Sequence, residues 1–481
     1  MHRPDLTAMP PDQGALLGPE SPAARGGQAF SGPYKAWVLT LVIVIYAFSF
    51  MDRVLMSIAA PAVEAEMHLT DAQLGLLIGM AFALVYTFLG IPVARLAERV
   101  SRVAIISVTI ILWSLMTLGC GTASTYQELL AYRFGVGIGE SGATPSTHSL
   151  LADYFAGEKR STVFALYATG VPLGVLLSAF VGGAIVHTHG WREAFIYAGV
   201  PGLVLGILAF LTIREPARGA SDRTAVNRDV PGIMMVLRRM LGDRATRQMI
   251  VATAIGSFAM SAAFLFMPVY FVRVYGMNVA QAGGAFGVIV GLGGIAGNFI
   301  GGFLSDYLGR SARVWYGGVP ALGFALAAVF ALLGFLQTSA LLGVSLLFVF
   351  SVTVNFWNGP VFSTVLSKLE HRMRATASAL LLAVMALIGQ GLGPGYLGLA
   401  SDTFARRAFG RPGFKQMCVL GQHAGPGAFH GGSHAASAVL EQCAQASAHG
   451  VRAAMLTIVP ILLWAALHYF IAGRHLRSVR N

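Results

Sequence analysis

Ala94-Arg95-Leu96-Ala97-Glu98-Arg99-Val100-Ser101-Arg102 closes one long apolar run, and Gly302-Phe303-Leu304-Ser305-Asp306-Tyr307-Leu308-Gly309-Arg310 closes another 208 residues later. Ala94, Glu98, Ser101 and Arg102 correspond to Gly302, Asp306, Gly309 and Arg310, and the same offset aligns Ser49-Phe50 with Ser257-Phe258. Two independent matches at one offset point to a parallel duplication, six helices followed by six. In each copy a small residue permits close helix approach, the carboxylate can receive helix N-terminal dipoles or an arginine, and the basic residues anchor the turn at the cytoplasmic face.

The runs that flank these turns are membrane spans. Of the 481 residues 56% are hydrophobic and only 11% charged, and the mean hydropathy is +0.68. A soluble domain carries about 25% charged residues, so that class is excluded. At least eleven apolar stretches of roughly 20 residues follow one another from Ala36 to Ala472, each enough to cross about 30 Å of hydrocarbon as helix. Alternating barrel patterning is absent.

The net charge of +12, from 33 Lys and Arg against 21 Asp and Glu, is distributed by topology. The first connector holds Glu64, Glu66 and Asp71 and no basic residue, the second holds Arg95, Arg99 and Arg102, and the alternation continues along the chain as the positive-inside rule requires, except in the long outer segment with Arg406, Arg407, Arg411 and Lys415, since long loops translocate with little regard to charge. The expected fold is therefore all-α: twelve transmembrane helices in two six-helix bundles, with both termini cytoplasmic. Residues 1–35 read as a disordered cytoplasmic tail, 36–213 as the first bundle and 214–247 as an arginine-rich cytoplasmic linker. Residues 248–472 read as the second bundle, including a long extracytoplasmic loop at 403–448, and 473–481 as a cytoplasmic tail.

Ionisable groups inside a span are costly and are functional candidates by default. The first span holds Asp52 and Arg53, and the fourth holds Arg133 and Glu140. Arg133, Gly137, Glu140, Thr144 and His148 form one stripe of a 3.6-residue helix, which is expected to face a cavity. Depth along the helices, ~10 Å for Arg53 and ~15 Å for Glu140 below their outer ends, predicts a network of Arg53, Glu140 and Asp52, with Arg133 nearer the outside. Protonating a carboxylate there would free an arginine for an anionic head group. The competing reading is a static salt-bridge cluster, and Asp52 can equally serve only to orient Arg53. The second half has no such charges at the matching positions, Met260 and Ser261. It offers Asn355, Trp357 and Asn358 in its tenth span, and Phe264, Phe266, Met267 and Tyr270 in its seventh. One charged and one apolar half would suit an amphiphile with an anionic head and an acyl chain, although these aromatics fit ordinary packing as well.

The stretch from Ala94 to Arg102 resembles the signature of the major facilitator superfamily between its second and third helices, and Gly302 to Arg310 resembles its second copy. Glu98, Ser101 and Tyr307 depart from the usual Asp, Gly and Arg. The resemblance covers nearly all of residues 36–472. It implies bundles that rock about a central site, with Arg95, Glu98, Arg99, Arg102, Asp306 and Arg310 as gating residues. Phe50-Met51-Asp52-Arg53, the segment Arg133 to Glu140 and Gly190-Trp191-Arg192-Glu193-Ala194-Phe195 together resemble the Spinster-type branch, especially its bacterial members. That likeness implies a transporter of lysophospholipids or sphingolipids, with Asp52 and Glu140 linked to protons and Arg53, and more weakly Arg133, on the substrate. Thr144, Phe264, Tyr270, Asn355 and Asn358 complete the expected substrate site. Related carriers of small organic acids and exporters of drugs share parts of these motifs. A non-transporting receptor is the reading from another class.

Other signals carry less. Gly137-Ile138-Gly139-Glu140-Ser141-Gly142 matches a dinucleotide fingerprint but lies inside an apolar span, where close packing explains it, and no phosphate-binding GxxxxGK[ST] loop occurs. Gly170, Pro172, Gly174, Gly182 and Gly183 partly resemble the antiporter motif of drug exporters, with Val171 interrupting the Gly-Pro pair, and read as packing residues. The histidines lack carboxylate companions at ligand spacing, and three cysteines make no zinc or iron-sulfur pattern. No enzyme, cofactor, metal or nucleic-acid partner is expected. Cys418 and Cys443 share the outer loop and form a candidate disulfide. The expectation is a monomer in the cell membrane, the inner membrane in a bacterium, whose partners are a lipid-like small molecule, protons and the bilayer.

Overall fold

The computed structural model describes residues 30–97, 99–155, 157–217, 232–370, 373–419 and 432–477. Helices account for all the regular structure among them. Eleven are long and apolar enough to cross a membrane. The helices Tyr126–Glu140 and Ala143–Tyr154, separated by a break at Ser141 and Gly142, together have the length of one further span, so that the described residues are compatible with twelve. In order they are span 1 (Gly32–Met67), span 2 (71–97), span 3 (Arg102–Thr122), span 4 (126–154), span 5 (157–188), span 6 (Trp191–Thr212), span 7 (Arg244–Tyr275), span 8 (279–309), span 9 (Trp315–Leu336), span 10 (340–367), span 11 (374–409) and span 12 (432–477). A short helix, Ile233–Gly242, precedes span 7.

The duplication is visible in the backbone. Thr70 and Gln73 form a capping box that starts span 2, and Asn278 and Gln281, at the same offset of 208, form one that starts span 8. Each box satisfies two helix N–H groups that hydrocarbon could not. A wider, π-type turn follows in span 2 (Leu76–Met80) and in span 8 (Gly287–Leu292), and another pair appears in span 5 (Ser178–Gly182) and span 11 (Met385–Leu392).

These four irregular helices join the halves, span 2 against span 11 and span 5 against span 8, and span 1 also meets span 7. The approach is close enough to require glycine. A Cβ on Gly79 would sit 2.3 Å from the Gln390 carbonyl oxygen, and one on Gly398 would sit 2.0 Å from that of Asp71. One apolar core runs through the second half and on into the outer part of the first, taking in Met51 to Ile78 and Trp191. The cytoplasmic part of the first half, from Val38 to Ile45 with Ile106, Leu150 and Ile213, forms a separate core. The halves are thus fused at the outer side.

Two boundaries differ from expectation. Phe30 and Tyr34 stack with each other and pack on Tyr154, and the Tyr34 hydroxyl donates to the Thr212 carbonyl. The end of the expected tail at 30–35 is therefore part of the first bundle, while residues 1–29 lie outside the described residues. The expected outer loop at 403–448 is helical at both ends, since span 11 runs to Phe409 and span 12 starts at Gly432. A small core of Phe409, Phe414, Cys418, Cys443 and Ala446 joins those ends, and Cys418 is bonded to Cys443.

Candidate functional site

Span 1 carries Ser49, Asp52 and Arg53 to mid-membrane, and span 4 meets it there at its break. Glu140 is the last residue of the upper helix of span 4. Its Oε2 accepts from Arg53 Nε at 2.5 Å and from Ser49 Oγ at 2.8 Å. The Arg53 guanidinium lies 4.9, 4.6 and 4.7 Å from the ring centres of Phe50, Phe82 and Tyr86. Three aromatic faces and one carboxylate therefore surround a single cation, in place of water. Asp52 turns the other way round the helix and meets Arg133, with Oδ2 3.6 Å from Nη1. Asp52, Arg133 and Glu140 are all buried.

The expected cluster thus separates into two ion pairs, Arg53 with Glu140 and Asp52 with Arg133. Adjacent residues on a helix point about 100° apart, so Asp52 and Arg53 cannot both face Glu140. Thr144, half-buried, lies just below the break. His148 continues the stripe with its ring edge-on to Phe164 and Tyr167, at 5.1 and 5.3 Å. In the second half, Phe264 packs on Phe350 at 5.6 Å and the Tyr270 hydroxyl donates to the Phe335 carbonyl at 3.0 Å. The Asn355 side chain donates to the Ser351 carbonyl of its own helix at 2.8 Å. These three make their contacts within the second bundle, whereas Asn358 is half-buried at the break in span 10.

At the cytoplasmic side Arg102 holds the first half together. Its Nε donates to Glu215 Oε1 at 2.7 Å, its Nη1 to Asp153, and its Nη2 to the Pro216 carbonyl. Burial alone would raise the Glu215 carboxyl, but the Val103 N–H, Arg102 and Ser101 outweigh it and hold that carboxyl below its ordinary value. Arg99 and Arg310 are exposed, and exposed Asp306 accepts from the Tyr316 hydroxyl at 3.2 Å. Glu98 and the side chain of Arg95 lie outside the described residues.

The outer face joins acids that the sequence offered only as a topology signal, Glu64 and Asp71, to residues it did not single out, Arg273 and Asp402. Arg273, at the end of span 7, donates to Glu64 at the end of span 1 at 2.5 Å and to Asp71 at the start of span 2 at 2.8 Å. Asp402 of span 11 accepts from the N–H groups of Asp71 and Ala72 at 3.1 and 3.0 Å, capping span 2 from the opposite half. Each of these ties crosses between the halves. By contrast, the ion pairs at the cytoplasmic ends among the described residues, Arg102 with Asp153 and Glu215 and Lys368 with Asp243, each stay within one half. Among the described residues, the polar ties between the halves thus lie at the outer side, which is closed. Arg273 was legible as a guanidinium in the last turn of an apolar span, five positions before a link that has no basic residue.

The Major Facilitator Superfamily profile matches residues 42–394. A crystal structure of a bacterial homologue of the human lysosomal transporter Spinster, inward-facing and occupied, is similar with a TM-score of 0.81 and 30% identity, over 92% of this chain and 98% of that one. An MFS-type efflux pump of Mycolicibacterium smegmatis is 28% identical over 373 residues, 77% of this chain and 86% of that protein. The probable galactarate/D-glucarate transporter GudP of Bacillus subtilis is 23% identical over 305 residues, 58% of this chain and 66% of the transporter. With its fused outer side, its repeated capping boxes and its paired charges at mid-membrane, the chain belongs to the Major Facilitator Superfamily and is a transporter of the Spinster type.

Proposed function

We propose that the protein is a proton-linked secondary transporter of an amphiphilic anion, a lysophospholipid or sphingolipid, working by alternating access. The observation that carries this reading is the buried Arg53–Glu140 pair at the break in span 4. While Glu140 is ionised the guanidinium is already neutralised, and a second anion would meet no uncompensated charge. When a proton neutralises Glu140, Arg53 remains a cation in a site of low dielectric, and an anionic head group takes the place of the carboxylate. Proton and anion binding then favour each other by linkage, so that substrate affinity rises as pH falls. Asp52 fixes Arg133 beside this site and supplies the second carboxylate. Phe50, Phe82 and Tyr86 offer apolar surface to the part of the substrate next to its head.

The resemblance of the Asp52-Arg53 and Glu140 motifs to Spinster-type proteins favours a lipid, and a Spinster homologue is among the similar structures. A second reading, small organic diacids, has its own support in the relative named for galactarate and glucarate; two arginines at mid-membrane would suit two carboxylates. The test is proton flux in proteoliposomes carrying an internal pH dye, with lysolipids or small organic acids added, for wild type and Glu140→Gln. Lysolipid-dependent flux that the variant loses supports the first reading. Flux with diacids alone replaces the lipid by the second class, and flux retained by Glu140→Gln refutes the carboxylate relay.

A further inference from the structure

Ile233–Gly242 is a ten-residue helix that joins span 7 through an elbow at Asp243. Asp243 caps span 7 by accepting from the Thr246 N–H at 2.8 Å, and Lys368 at the end of span 10 clamps the same carboxylate at 2.6 Å. The elbow is therefore fixed at the cytoplasmic end of a membrane span. Val236 and Met240, one turn apart, are buried against the second half. At 100° per residue, the neighbouring stripe of Ile233, Leu237 and Leu241 continues the apolar face beyond what the protein covers. Met234 and Met235 are 60% and 57% exposed, high values for methionines in a chain with so many buried alternatives.

The charges at this corner are of one sign. Arg238 and Arg239 are exposed on the helix, and Arg244 and Arg247 are exposed on the first turn of span 7. Among the described residues none of the four forms an ion pair with a carboxylate, and Asp243 at the elbow is taken by Lys368. An uncovered apolar stripe edged by uncompensated guanidinium groups, at the depth where a span leaves the membrane, is the pattern of a helix lying in the lipid interface, with its arginines extended to the head groups.

We infer that this helix docks on the cytoplasmic leaflet and binds anionic lipid head groups, at a site separate from the central one and independent of which substrate is carried. The commitment is to the membrane surface rather than to free phosphate, because Ile233, Met234 and Leu241 need acyl chains to cover them. The two helix arginines contribute on the order of tenfold in preference for anionic over neutral lipid, and the effect fades with salt.

The full-length protein is reconstituted in nanodiscs of phosphatidylcholine, with or without phosphatidylglycerol. Phosphatidylglycerol should raise the melting temperature of the wild type, less so at high salt, and the combined variant Arg238→Gln, Arg239→Gln should lose most of that increment. An environment-sensitive dye on Met234→Cys should report an apolar surrounding in both bilayers; the native thiols do not compete, since Cys120 is buried and the other two are bonded. An increment of equal size in wild type and variant, or a dye that reports water, overturns the inference. Neither readout involves transport, so failure here is distinguishable from failure of the proposed activity.

Discussion

Replacing Arg273 by glutamine should open the outer side. In the closed arrangement this guanidinium is the cation between Glu64 and Asp71, with contacts of 2.5 and 2.8 Å, while Asp402 adds a third carboxylate nearby. Without it, like charges face each other in a partly dry site. Removing one partner from a buried ion pair costs about 3–5 kcal/mol, and the side chain of Glu64 keeps 26% exposure, so the low end, about 3 kcal/mol, is appropriate. That cost falls on the outward-closed state, since opening lets water reach both carboxylates. At 1.36 kcal/mol per tenfold, the closed-to-open ratio should fall by roughly 100-fold or more; a protein closed about 99% of the time would become evenly divided. Spin labels on Gln127 and Thr338, which lie exposed at the outer ends of opposite halves, report the change as a longer second distance in pulsed dipolar spectra. Arg273→Lys, which keeps the charge, should restore most of the short distance. A distance distribution for Arg273→Gln that matches wild type would refute the assignment of Arg273 as the outer latch.

Three further outcomes are expected. Gly398→Ala, whose Cβ would lie 2.0 Å from the Asp71 carbonyl oxygen, should lengthen the same label distance without touching any charge, through overpacking of about 1–3 kcal/mol. Asp52→Asn alone should destabilise the protein by about 3 kcal/mol by leaving buried Arg133 uncompensated, whereas Asp52→Leu with Arg133→Met should recover most of that stability; if transport returns with stability, the pair is structural, and if it stays lost, the pair acts on substrate or protons. For Glu215, a carboxyl held below its ordinary value adds stability that is complete above the unfolded value, near about 4.3, and is lost as pH falls through the folded value. Glu215→Gln should therefore lower the melting temperature at pH 7 and differ progressively less from wild type as pH falls through the folded value of that carboxyl, a gap that thermal unfolding across pH measures.

The membrane class, the duplication and the mid-membrane charges were legible because hydrocarbon leaves a residue little latitude: a charge within a span, or an arginine-rich link, has few structural explanations. Pairing was less legible, because it depends on rotation about a helix. Depth placed Asp52, Arg53 and Glu140 at one level, but only azimuth decides that Asp52 meets Arg133. Phe264 and Tyr270 were expected on a cavity wall, yet an apolar side chain on span 7 has two greasy environments available, and both residues make their contacts inside the second bundle. Arg273 went unread because Glu64, Glu66 and Asp71 already had an explanation as a non-basic outer link. The same acids turn out to receive Arg273 and Arg192, so a topology signal and a closing contact were one set of residues.

The two sets of charges differ in where their partners reside, and this separates their roles. At the centre Asp52, Arg53, Arg133 and Glu140 all belong to the first half, so their two pairs can persist whichever way the bundles rock. At the outer face Glu64 and Asp71 belong to one half and Arg273 to the other, so those contacts exist in only one of the two states. A perturbation at the centre should change what is bound and how binding depends on pH, with little direct effect on which side is open. A perturbation of Arg273 should shift the conformational equilibrium and leave the preference among anions intact. Span 1 carries both Arg53 and Glu64, eleven residues apart, or ~16 Å along a helix. It also packs tightly on span 5, where a Cβ on Gly174 would lie 2.3 Å from the Ala47 carbonyl oxygen. Span 1 must therefore move with its bundle, and what couples the two sites is the difference in solvation of the outer carboxylates between states.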